Sequence, residues 1–93
     1  MINEPFVVTN AQRCANRIRS RVKSSPEEQI QEAYRLILGR LPDNDEKQWC
    51  GQLLVEQSAL YEKAGHSTDE AARRGLASLC QTLWGTNDFL YLR

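Results

Sequence analysis

An all-α fold, four amphipathic helices arranged like a bundle, is what this chain of 93 residues predicts. Three observations predict it. Apolar residues recur at i, i+4, i+7 and i+8 through most of the length, the spacing of one buried helical face. Helix-start signals stand at Ser25, Asp43 and Ser67, each an oxygen-bearing cap residue with a glutamate three positions on. No segment alternates with period two over a useful length, so strands are not expected.

The first helix is expected over about residues 4 to 22. Asn3 can cap it, and Pro5 is tolerated in a first turn whose backbone donors are orphaned anyway. Val7, Ala11, Cys14, Ala15, Ile18 and Val22 make its apolar stripe, while Arg13, Arg17 and Arg21 stack on the outer face. The second helix opens with Ser25 as cap, Pro26 at its first position and Glu27 and Glu28 in the positive first turn. Ile30, Ala33, Tyr34, Ile37 and Leu38 form its stripe. Gly39 ends it, because glycine enters the left-handed conformation at low cost, and Leu41 before Pro42 is pushed out of the helical region.

Asp43 with Glu46 starts a third helix near Asn44, and Gly65 stops it. Its apolar face is expected to carry Trp49, Cys50, Leu53, Leu54, Tyr61 and Ala64, with Leu60 at the margin. The polar middle, Glu56-Gln57-Ser58, is where a kink or an early end is expected if there is one. Ser67 and Glu70 start a fourth helix with the stripe Ala72, Leu76, Leu79, Cys80, Leu83 and Trp84. Gly75 inside it costs about 1 kcal/mol relative to alanine and is expected to let a neighbouring helix approach closely. Gly85 is expected to end this helix, and the aromatic tail with Phe89, Leu90 and Tyr91 to pack back on the core.

Residues 1–93 are read as a single helical domain, with roughly 60 to 65% of the unfolded surface buried on folding. Hydrophobic residues are 41% and charged residues 26% of the chain, which excludes a disordered composition. Twelve basic residues balance twelve acidic ones, so net charge calls for no polyanionic partner. No apolar run reaches the roughly 18 residues of a membrane span, and Phe6-Val7-Val8 is too short for a signal peptide, so a soluble piece without export information of its own is expected. Three cysteines with no short-range pairing argue against a disulfide framework and leave the redox compartment open.

With these residues in hand the chain resembles a known group. The opening Asn3-Glu4-Pro5-Phe6-Val7, with Gln12 and Ala15, is similar to that group's N-x-P-F-V … A start. Tyr34-Arg35-Leu36-Ile37-Leu38-Gly39-Arg40 with Pro42 and Glu46 resembles its Y-R-x-x-L-G-R-x-P-x-x-x-E signature. Leu79 to Trp84 and Asn87-Asp88-Phe89-Leu90-Tyr91 resemble its L-x-x-x-L … N-E-F-L-Y close, with Asp88 in place of the usual glutamate and Trp84-Gly85-Thr86 in place of a more polar run. The group is the C-terminal domain of unknown function, number 1553 in that series, of planctomycete proteins that also carry a cytochrome c-like domain. The resemblance implies a C-terminal fragment of a larger protein that is exported or associated with the cell envelope. It brings no activity and no active site.

Specific chemistry is weighed residue by residue. Covalent haem needs Cys-x-x-Cys-His, but the cysteines lie at least 30 positions apart and His66 follows Gly65. Cys14, Cys50, Cys80 and His66 would count as a zinc set, yet each cysteine sits on an apolar stripe and no tight cysteine pair begins the site, so no metal is expected. Asp43, Asp45 and Glu46 cluster where a helix start attracts acids for dipole reasons. No catalytic residue, cofactor site or enzyme is expected.

Two features stand out from that background. Arg40, just past the helix stop, is a candidate structural clamp for the last carbonyls of the second helix or for Asp43, Glu46 or Asp88. Arg13, Arg17 and Arg21, with Arg19 and Lys23 nearby, are a candidate face for an anionic partner. The balanced charge and the lack of interleaved aromatics disfavour nucleic acid and favour a solvated face pairing with acids of the second helix. The function expected is a structural or interaction module with no chemistry of its own, whose partners are other domains of the parent or another protein. The alternative is a module that binds an acidic partner, a protein surface or a nucleic acid, through the basic face.

Overall fold

The structure, a computed structural model, describes residues 5–22 and 25–91, with side chains described over 9–22 and 25–85. It has four helices: α1 (Pro5–Arg21), α2 (Pro26–Leu38), α3 (Asn44–Lys63) and α4 (Thr68–Tyr91). Among the described residues there is no strand. The expected all-α architecture is the one observed.

The local start signals work as chemistry requires. The Ser25 hydroxyl accepts the Glu28 N–H at 3.3 Å, and Pro26 occupies the first turn. At α3 both halves of the capping box close: Asp43 Oδ1 accepts the Glu46 N–H at 2.8 Å, and Glu46 Oε1 accepts the Asp43 N–H at 2.9 Å. The Ser67 hydroxyl accepts the Glu70 N–H at 3.1 Å. Glu70 does not reach back to Ser67. Its carboxylate is drawn forward to Arg73 and Arg74, where charge-assisted bonds outweigh a neutral one.

Two of the three predicted stops hold. Gly39 caps α2 at φ 71°, its N–H returning to the Tyr34 carbonyl at 3.0 Å. Gly65 follows α3 at φ 103°. Gly85 does not stop α4, which continues through it to Tyr91. The reason is that Gly39 and Gly65 are reinforced, by Pro42 and by the Ser67 cap, whereas Gly85 has no second signal after it. A lone helical glycine costs only about 1 kcal/mol, too little to break the helix. The expected return of Phe89, Leu90 and Tyr91 to the core concerns side chains outside the described residues. The polar middle of α3 neither breaks nor ends the helix.

α4 is the central element. It packs on each of the other three helices, while among the described residues α1 and α3 do not pack on each other. A helix with three neighbours needs a wide apolar arc. Ala71, Gly75, Leu76, Leu79, Cys80 and Leu83, all buried, cover about half its circumference. Ala11, Ala15 and Ile18 from α1, Ile30, Ala33 and Tyr34 from α2, and Cys50 and Leu54 from α3 complete the core.

The close crossing of α3 and α4 is made possible by Gly75. A Cβ there would lie 2.8 Å from Ser58 Oγ, 3.4 Å from Ser58 N and 3.5 Å from the Leu54 carbonyl oxygen. The small residue therefore sets the approach distance, as its position in the stripe suggests.

Three stripe assignments need correction. Ala72 is exposed and Ala71 is buried in its place. At this first turn α4 faces an open groove of about 400 Å³, lined by Pro26, Gln29, Leu54, Ala59 and Ala72, rather than a packed helix. Trp49 is 49% exposed, because only the Cys50–Leu54 side of α3 turns towards α2 and α4. Ala64 is exposed at the C-cap, past the end of the packed face.

Candidate functional site

Arg40 lies at the junction between α2 and α3. It leaves the capped end of α2 through Gly39, and Pro42, buried, fixes the entry to α3. Its guanidinium grips Glu46 with two parallel bonds, Nη1 to Oε1 at 2.8 Å and Nη2 to Oε2 at 2.7 Å, and Nη1 also donates to the Leu41 carbonyl at 3.2 Å. The guanidinium carbon sits 5.4 Å from the centre of the Tyr34 ring, a cation–π distance. Of the acids that sequence left open, the structure brings Arg40 to Glu46.

The junction polarises its members. The Arg40 bond, then the Asp43 N–H, hold the Glu46 carboxyl down at about 2. The Tyr34 phenol is pushed above its ordinary value, chiefly by burial and then by the Cys50 thiol, which donates to its hydroxyl at 3.6 Å. Burial likewise raises the Cys50 thiol. The Arg40 fork, Glu46, Asp43, Tyr34 and Cys50 bond to one another or to the backbone inside the junction, so the arrangement holds two helices.

The three outer arginines of α1 do not act together. Arg21 is tied to Glu32 of α2 at 3.0 Å, and Glu32 also takes Arg35. Those bonds, Arg35 first, lower the Glu32 carboxyl. Arg19, the neighbour off the stripe, reaches Asp69 at the start of α4 at 2.5 Å. Among the described residues neither Arg13 nor Arg17 is paired with a carboxylate. Both line a surface cleft of about 240 Å³ together with Cys14, Leu36, Ile37 and Trp84. Sequence reasoning found the arginines but not the cleft, whose aromatic wall comes from α4.

The cysteines divide in a way the sequence does not show. Cys50 belongs to the Tyr34 cluster, while Cys14 on α1 lines the cleft and Cys80 on α4 is fully buried in the core. The influence of Cys80, and then Arg17, lowers the Cys14 thiol against partial burial. Cys14 and burial raise Cys80 well above the ordinary thiol value. His66 meets Tyr61 edge-on at 5.8 Å, far in kind from the zinc set considered above. Among the described residues no group of three or more His, Cys, Asp or Glu side chains could hold a metal ion, and no helix is long and apolar enough to cross a membrane. Comparison with family models, with curated proteins and with solved structures finds no match to this chain.

Proposed function

We propose that this chain is a helical structural and interaction module that positions itself against other domains of a larger parent protein. One observation carries the reading. Trp49 and Leu60 of α3 are 49% and 58% exposed, and with the half-buried Leu53 they share one flank at i, i+4 and i+11. That flank is about 16 Å long. A half-exposed tryptophan in line with leucines is the composition of an interface anchor, where aromatics are enriched and dominate binding energy. The polar clusters support the same reading, because their groups bond to one another across helix junctions. The resemblance to a C-terminal domain of exported or envelope-associated proteins supplies the context of a larger parent.

The test is made in the parent protein. Trp49→Glu with Leu60→Glu should leave the module helical by circular dichroism and release it from its neighbours, read as faster limited proteolysis at the linker. Unchanged proteolysis would remove the reading.

A second reading is favoured by Arg13 and Arg17, which pair with no carboxylate among the described residues: recognition of an acidic partner through α1. It predicts binding to an acidic peptide or an oligonucleotide that weakens steeply with salt and is lost in Arg17→Glu. Absence of binding at low salt would sink it.

A further inference from the structure

Three helices meet at the cleft beside Arg13 and Arg17. α1 supplies both arginines to its wall, the last turn of α2 supplies Leu36 and Ile37, and α4 supplies Trp84. Ligand sites between the helices of a bundle are concave and mostly apolar, with a few polar groups that fix orientation. This cleft has that composition.

Pairing sets its two arginines apart. Arg19, Arg21, Arg35, Arg40, Arg73 and Arg74 each bond a carboxylate. Among the described residues Arg13 and Arg17 bond none, although Glu32 of α2 is close enough to α1 to take Arg21. Glu32 is already filled: its Oε1 accepts from Arg35 Nε, and its Oε2 accepts from Arg21 and Arg35. Side chains four positions apart on a helix are neighbours, about 5 to 6 Å between Cβ atoms. The two cationic side chains therefore stand together on one wall, opposite apolar groups.

We propose that this cleft binds a small monocarboxylate with a compact apolar body, the carboxylate held by Arg13 and Arg17 and the body laid against Leu36, Ile37 and Trp84. The inference rests on the second reading, that α1 meets an anion, and names the anion.

Size, charge and helix geometry select that class. The cleft holds about 240 Å³, below the roughly 300 to 1,000 Å³ of sites for drug-sized molecules, so it takes a body on the order of ten non-hydrogen atoms. Among the described residues its charged lining is arginine alone, and a guanidinium fork matches a carboxylate with two parallel bonds. A phosphate fits less well. Arg13 and Arg17 lie in the middle of α1, where the backbone N–H groups are used within the helix and none is left for extra oxygens. The last turn of α2 also brings the negative end of its dipole to the same wall, which opposes a second negative charge. A bare inorganic anion would leave the apolar wall uncovered.

The experiment titrates octanoate into the full chain at low salt and follows the backbone amide shifts by NMR. Saturable shifts are expected around Arg13, Arg17, Leu36, Ile37 and Trp84, with a Kd on the order of 1 mM. Acetate keeps the charge without the body, and octylammonium keeps the body with the charge reversed; each should bind about tenfold more weakly or worse. Arg13→Ala combined with Arg17→Ala should weaken octanoate about tenfold while the chain stays helical by circular dichroism. The proposal is overturned if the shifts fall outside the cleft, if octylammonium binds as tightly as octanoate, or if the double variant binds octanoate unchanged. Inorganic phosphate that binds as tightly as octanoate overturns the choice of ligand. An acidic peptide that binds through Arg17 while octanoate does not would keep the second reading and remove this one; failure of both removes both. Should the double variant lose its helicity, Arg17→Gln in the same titration decides.

Discussion

Arg40 and Glu46 face each other fork to fork, and Glu46 Oε1 simultaneously accepts the Asp43 N–H that opens α3. One carboxylate thus completes a helix cap and anchors the arginine that follows the previous helix. The turn between α2 and α3 is fixed by a single ion pair and a proline.

Removing either half should destabilise the fold modestly. The Arg40 side chain is 51% exposed and that of Glu46 27%, so water screens the pair and a loss of about 1 kcal/mol is expected for Arg40→Ala. Glu46→Ala should cost more, since it also opens the capping box. A double-mutant cycle read by urea denaturation should show positive coupling between them. Additive effects would mean that the fork contributes nothing to stability.

Two ion-paired glutamates at helix starts predict acid sensitivity. Glu46 and Glu70 are both held at about 2, against 4.5 ordinarily, by Arg40 and by Arg73 respectively. A carboxyl lowered in the folded state binds fewer protons there than in the unfolded chain. Its stabilisation is therefore complete above 4.5 and is lost as pH falls towards 2. The urea midpoint should decline through that window, and Glu46→Gln should flatten part of the decline.

At high pH the sign reverses for Tyr34. Burial and the Cys50 contact raise its phenol, so the unfolded chain ionises first, near 10. Stability is full below that value and falls as pH rises past it. Tyr34→Phe should reduce this alkaline loss. An ultraviolet titration in which every tyrosine of the folded protein ionises near 10 would contradict the burial.

Gly39 isolates a backbone effect. It sits at φ 71° with nothing within 4 Å of a hypothetical Cβ, so Gly39→Ala meets no clash and should cost about 1 to 2 kcal/mol from the left-handed conformation alone. Gly39→Asn should recover part of it. Equal stability of the alanine variant would show that α2 can end another way.

Gly75 tests packing instead. The hard contact of an added methyl is Ser58 Oγ at 2.8 Å, a hydroxyl that can rotate at a cost of about 0.5 to 1.5 kcal/mol. That offsets the helix-propensity gain of about 1 kcal/mol. Gly75→Ala should be nearly neutral in the unaltered chain and stabilising in a Ser58→Ala background. Gly75→Leu should be destabilising in both, because Ser58 N and the Leu54 carbonyl are fixed backbone. Identical effects of Gly75→Ala in the two backgrounds would refute the contact.

Much of the fold was legible because its punctuation is local. Ser25, Asp43 and Ser67 satisfy orphaned N–H groups three residues away, and Gly39 and Gly65 adopt left-handed φ. Such bonds depend on neighbours in the chain and on nothing else. The starts of α2, α3 and α4 and the ends of α2 and α3 followed from them.

What remained was decided by neighbours in space. Gly85 carries the same residue type as the two stops, but α4 continues, since helix propensity alone does not end a helix. Trp49 and Ala72 fit an apolar stripe, yet α3 and α4 turn those positions outward because a stripe records the period and not the partner. Which carboxylate Arg40 would take depends on the path of the chain between α2 and α3, and that Cys50 would meet Tyr34 depends on how those two helices pack. The sequence by itself determined four helices and where three of them begin, because capping is short-range. The tertiary structure alone chose which side chains meet, because contacts between helices form only once packing has fixed their separation and rotation.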